Sequence, residues 1–239
     1  MLPGTLPSMD FDPAPRQSVS DHVFGQLRDA VLSGRYPAGD ALPSERELAA
    51  TFEVNRHAIR EALRRLQQLG LVKVSQGGAT RVLDWRATAG LDLAMALTAA
   101  EDVLPVETLA RDVLEMRACI GADAARLCAL RATPEAKRRV SDAVEAYAAA
   151  VPDLAAMRLA DLALWRRIIE GSGNIAYLLA FNSLTAGTLA VGQVPPHLRT
   201  EEILNVAAHR KLAALIEAGG AAEAEEAARG LLQAKETVR

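Results

Sequence analysis

Four arginines crowd one short stretch of this chain. In "LPSERELAATFEVNRHAIREALRRLQQLGLV" (residues 42–72), two apolar-periodic segments flank Glu53-Val54-Asn55, and the second carries Arg56, Arg60, Arg64 and Arg65. On a helical wheel of about 100° per residue, Ala58, Ile59, Ala62, Leu63, Leu66 and Leu69 share one arc. Arg56, His57, Arg60, Glu61, Arg64, Arg65, Gln67 and Gln68 fill the opposite one. A face of this kind is either a solvated surface or a grip for an anion. An arginine fork suits both halves of nucleic-acid recognition, because it can meet guanine O6 and N7 on a base edge or clamp a phosphate oxygen.

The elements around the arginines decide between the two. Val23, Leu27, Ala30 and Val31 recur at helical spacing and stop at Ser33-Gly34, which predicts a first helix. The connector "RYPAGDALP" is turn-rich, with Ala41-Leu42 able to add a short strand. Ser44 stands three residues before Glu47, the capping-box spacing, and Leu48, Ala49 and Phe52 give the helix that follows its buried side. Asn55 can cap the next helix, which runs to Leu69 and stops at Gly70. "LVKV" and "TRVL" then flank "SQGGA", the pattern of a glycine-tipped β-hairpin. A capped helix, a three-residue turn and a helix with Arg, His and Arg in its first turn predict a helix-turn-helix that enters the DNA major groove by its N-terminal end. The hairpin would be a wing whose Gly77 and Gly78 let backbone approach the sugar-phosphate wall.

Beyond Trp85 the pattern is helical only. Seven Ala- and Leu-rich segments, near 88–100, 105–131, 135–150, 152–171, 174–192, 200–218 and 221–237, follow one another with Pro or Gly breaks between most of them. The expected architecture is mainly α: a winged helix-turn-helix over 16–84, a boundary within 83–90, and an all-α bundle over 88–237. Residues 16–86 carry 11 Lys and Arg against 8 Asp and Glu, and residues 87–239 carry 16 against 20. A basic front is joined to an acidic back. Residues 1–15, with four prolines and no basic residue, read as a flexible tail without the charged start or apolar run of a signal peptide. No apolar run approaches the ~18 residues that span a bilayer, so a cytoplasmic protein without a membrane partner is expected. Cys119 and Cys128 point to opposite faces of one helix and cannot pair locally.

The stretch "LRDAVLSGRYPAGDALPSERELAATFEVNRHAIREALRRLQQLGLV" resembles the winged helix-turn-helix of the GntR family of bacterial transcription regulators, over residues from about 20 to 84. The resemblance implies DNA contacts by Arg46, Arg56, Arg60, Gln76 and Gly77, with Asn55 and His57 at positions where the family usually has small hydroxyl residues. Glu53 stands where the family commonly has Gly, at a turn that favours positive φ. It further implies a homodimer on a near-palindromic operator, because one recognition helix reads only a short half-site.

Residues from about 88 to 237 are similar in layout to the helical effector domain of the FadR-type branch, called FCD. The anchors are "VLEMRACIGADAARLCALRATPE", "DLALWRRIIEGSGN" and "NVAAHRKLAALIEAGGAAEAEEAARGLLQ". In that family an Asp and three His usually hold a divalent metal beneath a small carboxylate ligand. Here Asp161 and His209 match, but the other two positions fall on Trp165 and Leu231. Neither indole nor leucine can coordinate, so neither a metal nor any cofactor is expected. His197 in "VPPHL" is the one side chain that could substitute. His209 then reads as a core or pocket histidine hydrogen-bonded to a neighbour such as Asp161.

The resemblance also assigns an effector pocket to Arg117, Asp161, Trp165, Asn205 and His209. Arg117 would meet a ligand carboxylate or, alternatively, form a surface salt bridge to Glu115 or Asp112. Trp165 would be an apolar wall, and Asn205 would lie one turn before His209 on one helix face. The expected function is a DNA-binding regulator, a repressor, responding to a small organic acid or acyl-type effector; the alternative is a DNA-binding dimer that has lost that response. Catalysis is not expected. There is no nucleophile–base pairing, phosphate-cradling loop or HExxH motif, and the back ~150 residues are too helical for the aminotransferase-like domain of another GntR branch.

Overall fold

The computed structural model describes residues 19–75, 78–97, 105–191 and 198–233. The tail, the wing-tip residues Gln76 and Gly77, and His197 lie outside the described residues. The chain divides into two compact units between Ala89 and Gly90.

In the first unit, α1 (Val19–Leu32) buries Val23, Phe24, Leu27, Ala30 and Val31 and packs on α3 (Arg56–Gln68). Between them lies α2 (Glu45–Thr51), and the capping box at its start is complete. The Ser44 N–H donates to Glu47 Oε2 at 2.8 Å, and the Glu47 N–H donates back to Ser44 Oγ at 3.3 Å. Asn55 caps α3 by accepting the Ala58 N–H at 2.9 Å. The buried residues of α3 are Ala58, Ile59, Ala62, Leu63 and Leu66, the arc given by the 3.6-residue period. Each large aliphatic side chain among them stabilises the unit by about 1.5–3 kcal/mol.

The helix stops at Gly70, where two constraints meet. Its φ is +71°, and a Cβ there would come within 2.8 Å of the Thr88 carbonyl oxygen. Only glycine satisfies both. Strands β1 (Val72–Lys73) and β2 (Arg81–Val82) pair antiparallel, Val72 opposite Val82. The extra strand suggested at Ala41-Leu42 is reduced to one bridge from Ala41 to Arg81, with the Leu42 N–H donating to the Thr80 carbonyl. A single turn, α4 (Trp85–Thr88), follows and is fastened to this unit by Thr88 Oγ1, which donates to the Gly70 carbonyl at 2.8 Å.

The second unit contains α5 (Asp92–Leu97), α6 (Val106–Arg131), α7 (Pro134–Ala149), α8 (Leu154–Gly171), α9 (Ile175–Val191), α10 (Thr200–Leu204), α11 (Val206–Ala218) and α12 (Ala221–Leu232). Thr133 and Asp153 cap α7 and α8, and Gly219 closes α11 in the left-handed conformation at φ 78°. Alanines on α6 allow close approach of α12, and Val140, Val144, Leu164, Trp165, Ile168, Leu212, Ile216 and Leu231 fill the core between the helices. Gly121 belongs to this packing: a Cβ there would stand 2.4 Å from Leu232 Cδ1 and 3.2 Å from Trp165 Cζ3. Cys119 is exposed and Cys128 buried, both as free thiols, and burial pushes the Cys128 thiol up to about 11.

Of the helix expected near 88–100 the described residues hold α5 over Asp92–Leu97, with the single turn α4 ending where that helix was expected to begin. The single helix expected over 200–218 is divided at Asn205 into α10 and α11. The break has a local cause. Asn205 turns its side chain back to accept the Ala208 N–H at 3.0 Å, so it starts a helix instead of continuing one.

Candidate functional site

The sequence points to an arginine-rich helix face in the first unit and a pocket with one arginine, Arg117, in the second, and the structure treats them differently. On the first unit, Arg46, Arg56, His57 and Arg64 are exposed and make no hydrogen bond or ion pair among the described residues. Arg60 is exposed too, but its Nε donates to Glu45 Oε2 of α2 at 2.7 Å. Arg65 serves packing: it pairs with Asp21 of α1, and its guanidinium lies 4.0 Å from the centroid of the Phe24 ring. Asn55 is occupied as the cap of α3, so its carboxamide oxygen is committed to the protein and only its amide end remains for docking. The exposed basic side chains here are thus Arg46 on α2 with Arg56, His57, Arg60 and Arg64 on α3. Glu53, in the turn between the two helices, has φ 53°, the one positive value at a non-glycine among the described residues.

In the second unit, α6, α8, α10 and α11 bring five charged or polar side chains together. Asp161 on α8 is completely buried, and so is His209 on α11. Arg117 on α6 reaches both acidic residues. Its Nη2 and Nη1 donate to Glu202 Oε1 and Oε2 at 2.7 and 3.0 Å, and Nη2 lies 3.5 Å from Asp161 Oδ2. Arg199, immediately before α10, donates through Nη2 to Asp161 Oδ2 at 2.5 Å and to Glu202 Oε1 at 2.9 Å, with its Nε 3.2 Å from Glu202 Oε2. The side chains are only 19% exposed for Arg117, 15% for Arg199 and 9% for Glu202. Burial opposes the charge on Asp161, Glu202 and Arg199. The mutual attraction wins: Asp161 and Glu202 are held below the usual carboxylate range, chiefly by the arginines, and Arg199 is held above its ordinary value by the two carboxylates.

Aromatic rings and an imidazole enclose this cluster. The Trp165 ring lies 5.4 Å from the Arg117 guanidinium carbon, and the Tyr147 ring centroid is 4.5 Å from that of His209. The Tyr147 hydroxyl donates to the Ile203 carbonyl of α10, and burial among these groups raises its pKa. His209 Nδ1 is 2.8 Å from the Asn205 carbonyl oxygen; an oxygen there can only accept, so Nδ1 carries the proton. Nε2 then faces Asp161 Oδ1 at 3.5 Å, too far for a good hydrogen bond. Asp161 Oδ1, His209 Nε2 and Trp165 Nε1 are all buried without a hydrogen-bond partner among the described residues.

Several expectations change here. Arg117 bonds to neither Glu115 nor Asp112; its partners are Glu202 and Asp161. Asn205 does not lie a turn below His209 on one helix, and its side chain caps α11 while its carbonyl orients the imidazole. Asp161, Trp165 and His209 do gather at one place, with Asp161 facing His209 at 3.5 Å instead of the expected close hydrogen bond. Arg199, Glu202 and Tyr147 were not singled out from the sequence. Only the fold brings the Arg and Glu of "LRTEEIL" together with Asp161.

The donors can be tested against the metal that the FCD pattern implies. Asp161, Glu202 and His209 can each offer a ligand atom, all within 4.8 Å of one another. The charges do not fit. Two guanidiniums already neutralise the two carboxylates, with Arg199 Nη2 at 2.5 Å from Asp161 and Arg117 bidentate on Glu202. A divalent ion would have to enter beside both in a largely buried site. The arrangement present is suited to arginine, not to a metal.

A helix-turn-helix with a hairpin wing and a basic, exposed face on its second helix defines a DNA-binding regulator, here carrying an all-helical second domain. Family comparisons agree. The profile of "Bacterial regulatory proteins, gntR family" matches residues 19–82, and that of the FCD domain matches residues 112–234. The chain belongs to the GntR family, in the FadR-type branch with an FCD domain. It is 35% identical over 229 residues to the HTH-type transcriptional regulator Mce2R of Mycobacterium tuberculosis, covering 96% of this chain and 95% of that one. It is 34% identical over 178 residues to the fatty acid metabolism regulator protein of Serratia proteamaculans, covering 74% and 72%. The solved structure of Lar, which controls expression of the Listeria monocytogenes agr system, shares the fold with a TM-score of 0.54 at 14% identity, over 91% of this chain and 94% of that one. The protein is a transcriptional regulator of GntR/FadR type, a class of DNA-binding proteins and not of enzymes. No described helix is long and apolar enough to cross a membrane.

Proposed function

We propose that this regulator is a cytoplasmic repressor that binds a near-palindromic operator as a homodimer and responds to a small organic acid or acyl-type effector in its helical unit. Arg46, Arg56, His57 and Arg60 supply the docking face in this reading, with the wing residues Gln76 and Gly77 beside them. The effector reading is carried by one observation: two nearly buried guanidiniums, Arg117 and Arg199, beside three buried polar atoms without partners on Asp161, Trp165 and His209. Sites with unmet polar groups of this kind are commonly completed by a ligand or water. The likeness to a relative named for fatty acid metabolism supports a carboxylate or acyl ligand.

The test has two stages. Operators are first selected from random duplex DNA with the purified protein, and the expected product is a near-palindrome bound by two copies. A single half-site bound as tightly as the full sequence would refute the dimer. The protein–operator complex is then titrated with a panel of organic acids and acyl thioesters while melting temperature is followed. Stabilisation of the free protein together with release of DNA supports an effector-responsive repressor. Absence of both across the panel favours a dimer that has lost its response.

A further inference from the structure

We propose that Glu202 is an internal stand-in for the effector's carboxylate: it occupies the Arg117–Arg199 pair in the ligand-free protein, and a carboxylate ligand binds by taking its place. This rests on the effector reading above and adds how the site is held until ligand arrives.

The geometry around Glu202 is that of a bound anion. Both of its oxygens are engaged, Oε1 by the two Nη2 groups at 2.7 and 2.9 Å and Oε2 by Arg117 Nη1 and Arg199 Nε at 3.0 and 3.2 Å. Four donors from two guanidiniums on one carboxylate, each guanidinium in a bidentate fork, are how proteins recognise carboxylate ligands. Asp161 is held differently. It stands on the long helix α8, is wholly enclosed, and keeps Oδ1 without a donor. It is the fixed counter-charge, whereas Glu202 sits on a five-residue helix that has no side-chain cap and ends at the Asn205 break.

A second observation points to a ligand at the same place. Glu202 satisfies the arginines but leaves Trp165 Nε1, His209 Nε2 and Asp161 Oδ1 unmet, all fully enclosed. A purely structural ion-pair cluster gains nothing from leaving such groups unpaired, since each costs stability. A ligand that brings its own carboxylate to the arginines and a polar group to these atoms would satisfy all of them. The charge count favours exchange over addition. Arg117 and Arg199 balance Asp161 and Glu202, so a third carboxylate, brought by the ligand, would leave an excess negative charge in a largely buried site, whereas replacement keeps the sum at zero.

Glu202→Ala removes the fragment that corresponds to acetate. The full-length variant is compared with the unmodified protein by thermal melting in sodium acetate, acetamide and sodium chloride of equal concentration. The variant is expected to melt lower in chloride and to regain about 3–6 °C in acetate once acetate exceeds its Kd tenfold, with no comparable gain in acetamide. The unmodified protein should gain less, since acetate must compete with a tethered carboxylate. If the alanine variant does not fold, Glu202→Gln keeps the shape without the charge, and acetate should stabilise it more than the unmodified protein. Equal responses to acetate, acetamide and chloride in the folded variant would overturn the proposal and leave the arginines as structural cations. The organic-acid titration of the operator complex reads the effector hypothesis separately. DNA release there, with no acetate rescue in the variant, would defeat the stand-in alone.

Discussion

Arginine does opposite work in the two units. On α3 it stands in water: the Arg60 side chain is 59% exposed and its Glu45 partner 36%. In the helical unit Arg117 and Arg199 are mostly enclosed, against an Asp161 that is wholly so. An exposed pair such as Arg60–Glu45 stabilises by no more than about 1 kcal/mol. It can therefore be given up when DNA phosphate or a base edge offers a better acceptor. The buried cluster cannot be opened so lightly, because removing one member strands a charge away from water. Surface arginines can be left to water; buried arginines need partners continuously, and Asp161 and Glu202 supply them.

The sharpest way to break this contrast is Asp161→Asn. With Asp161 neutral, two guanidiniums face one carboxylate, and the expected loss is about 3–5 kcal/mol in denaturant unfolding of the helical unit. A loss under 1 kcal/mol would mean the cluster is solvated like the α3 surface. The pH dependence gives an independent reading. Asp161 and Glu202 are both held below their ordinary values, burial being outweighed by the arginines. Their contribution is complete above the unfolded carboxylate range of about 3.9–4.3 and is lost as pH falls through the lower folded values. The unmodified protein should therefore lose stability on acidification below about pH 4, and Asp161→Asn should flatten that slope. An unchanged slope would assign acid sensitivity to other carboxylates.

The second prediction tests the exposed side. Arg56→Ala and Arg60→Ala are each expected to weaken operator binding by about 1–3 kcal/mol if they read bases, with specificity relaxed at one position. Folding stability should change little, because both side chains are exposed. Equal losses on the operator and on random duplex, measured at one salt concentration, would assign the residue to phosphate contact instead. Arg60 carries the more informative result. If Glu45 holds its guanidinium toward the base edge, Glu45→Gln should also weaken specific binding; if Glu45 merely competes with DNA, the same change should strengthen it.

These two regions also differ in how far they can be read from sequence. The α3 face is written in local terms: the caps at Ser44 and Asn55, the stop at Gly70 and the 3.6-residue period each act within a few residues, and the described structure has all of them. The buried cluster is assembled from positions 117, 161, 199, 202 and 209 on separate elements. Asp161, Trp165, His209 and Arg117 could be found through the family pattern, which supplies tertiary neighbourhood that periodicity lacks. Arg199 and Glu202 could not, because the pattern expects histidine ligands and offers no place for a substitute cation. The same limit hid the break at Asn205. An asparagine inside an apolar-periodic segment is compatible with a continuous helix, and only the side-chain bond to the Ala208 N–H shows that it begins a new one.

The smallest expected effect concerns Glu53, where the DNA-binding unit departs from its family and the backbone records the departure. A left-handed conformation costs an L-residue roughly 1–2 kcal/mol, and glycine avoids it while losing more chain entropy on folding, about 0.5–1 kcal/mol. Glu53→Gly should therefore stabilise the first unit by about 0.5–1 kcal/mol net, measurable as a shift in denaturant midpoint at constant slope. Charge and backbone must be separated, because Glu53 stands just before α3, where a carboxylate favours the helix N-terminus but opposes DNA phosphate. Glu53→Ala removes the same charge and keeps the strain, so it should give no gain in stability. Both variants should bind duplex DNA of any sequence somewhat more tightly at low salt. A stability gain shared equally by alanine and glycine would show that the charge, and not φ at this turn, is what the protein tolerates there.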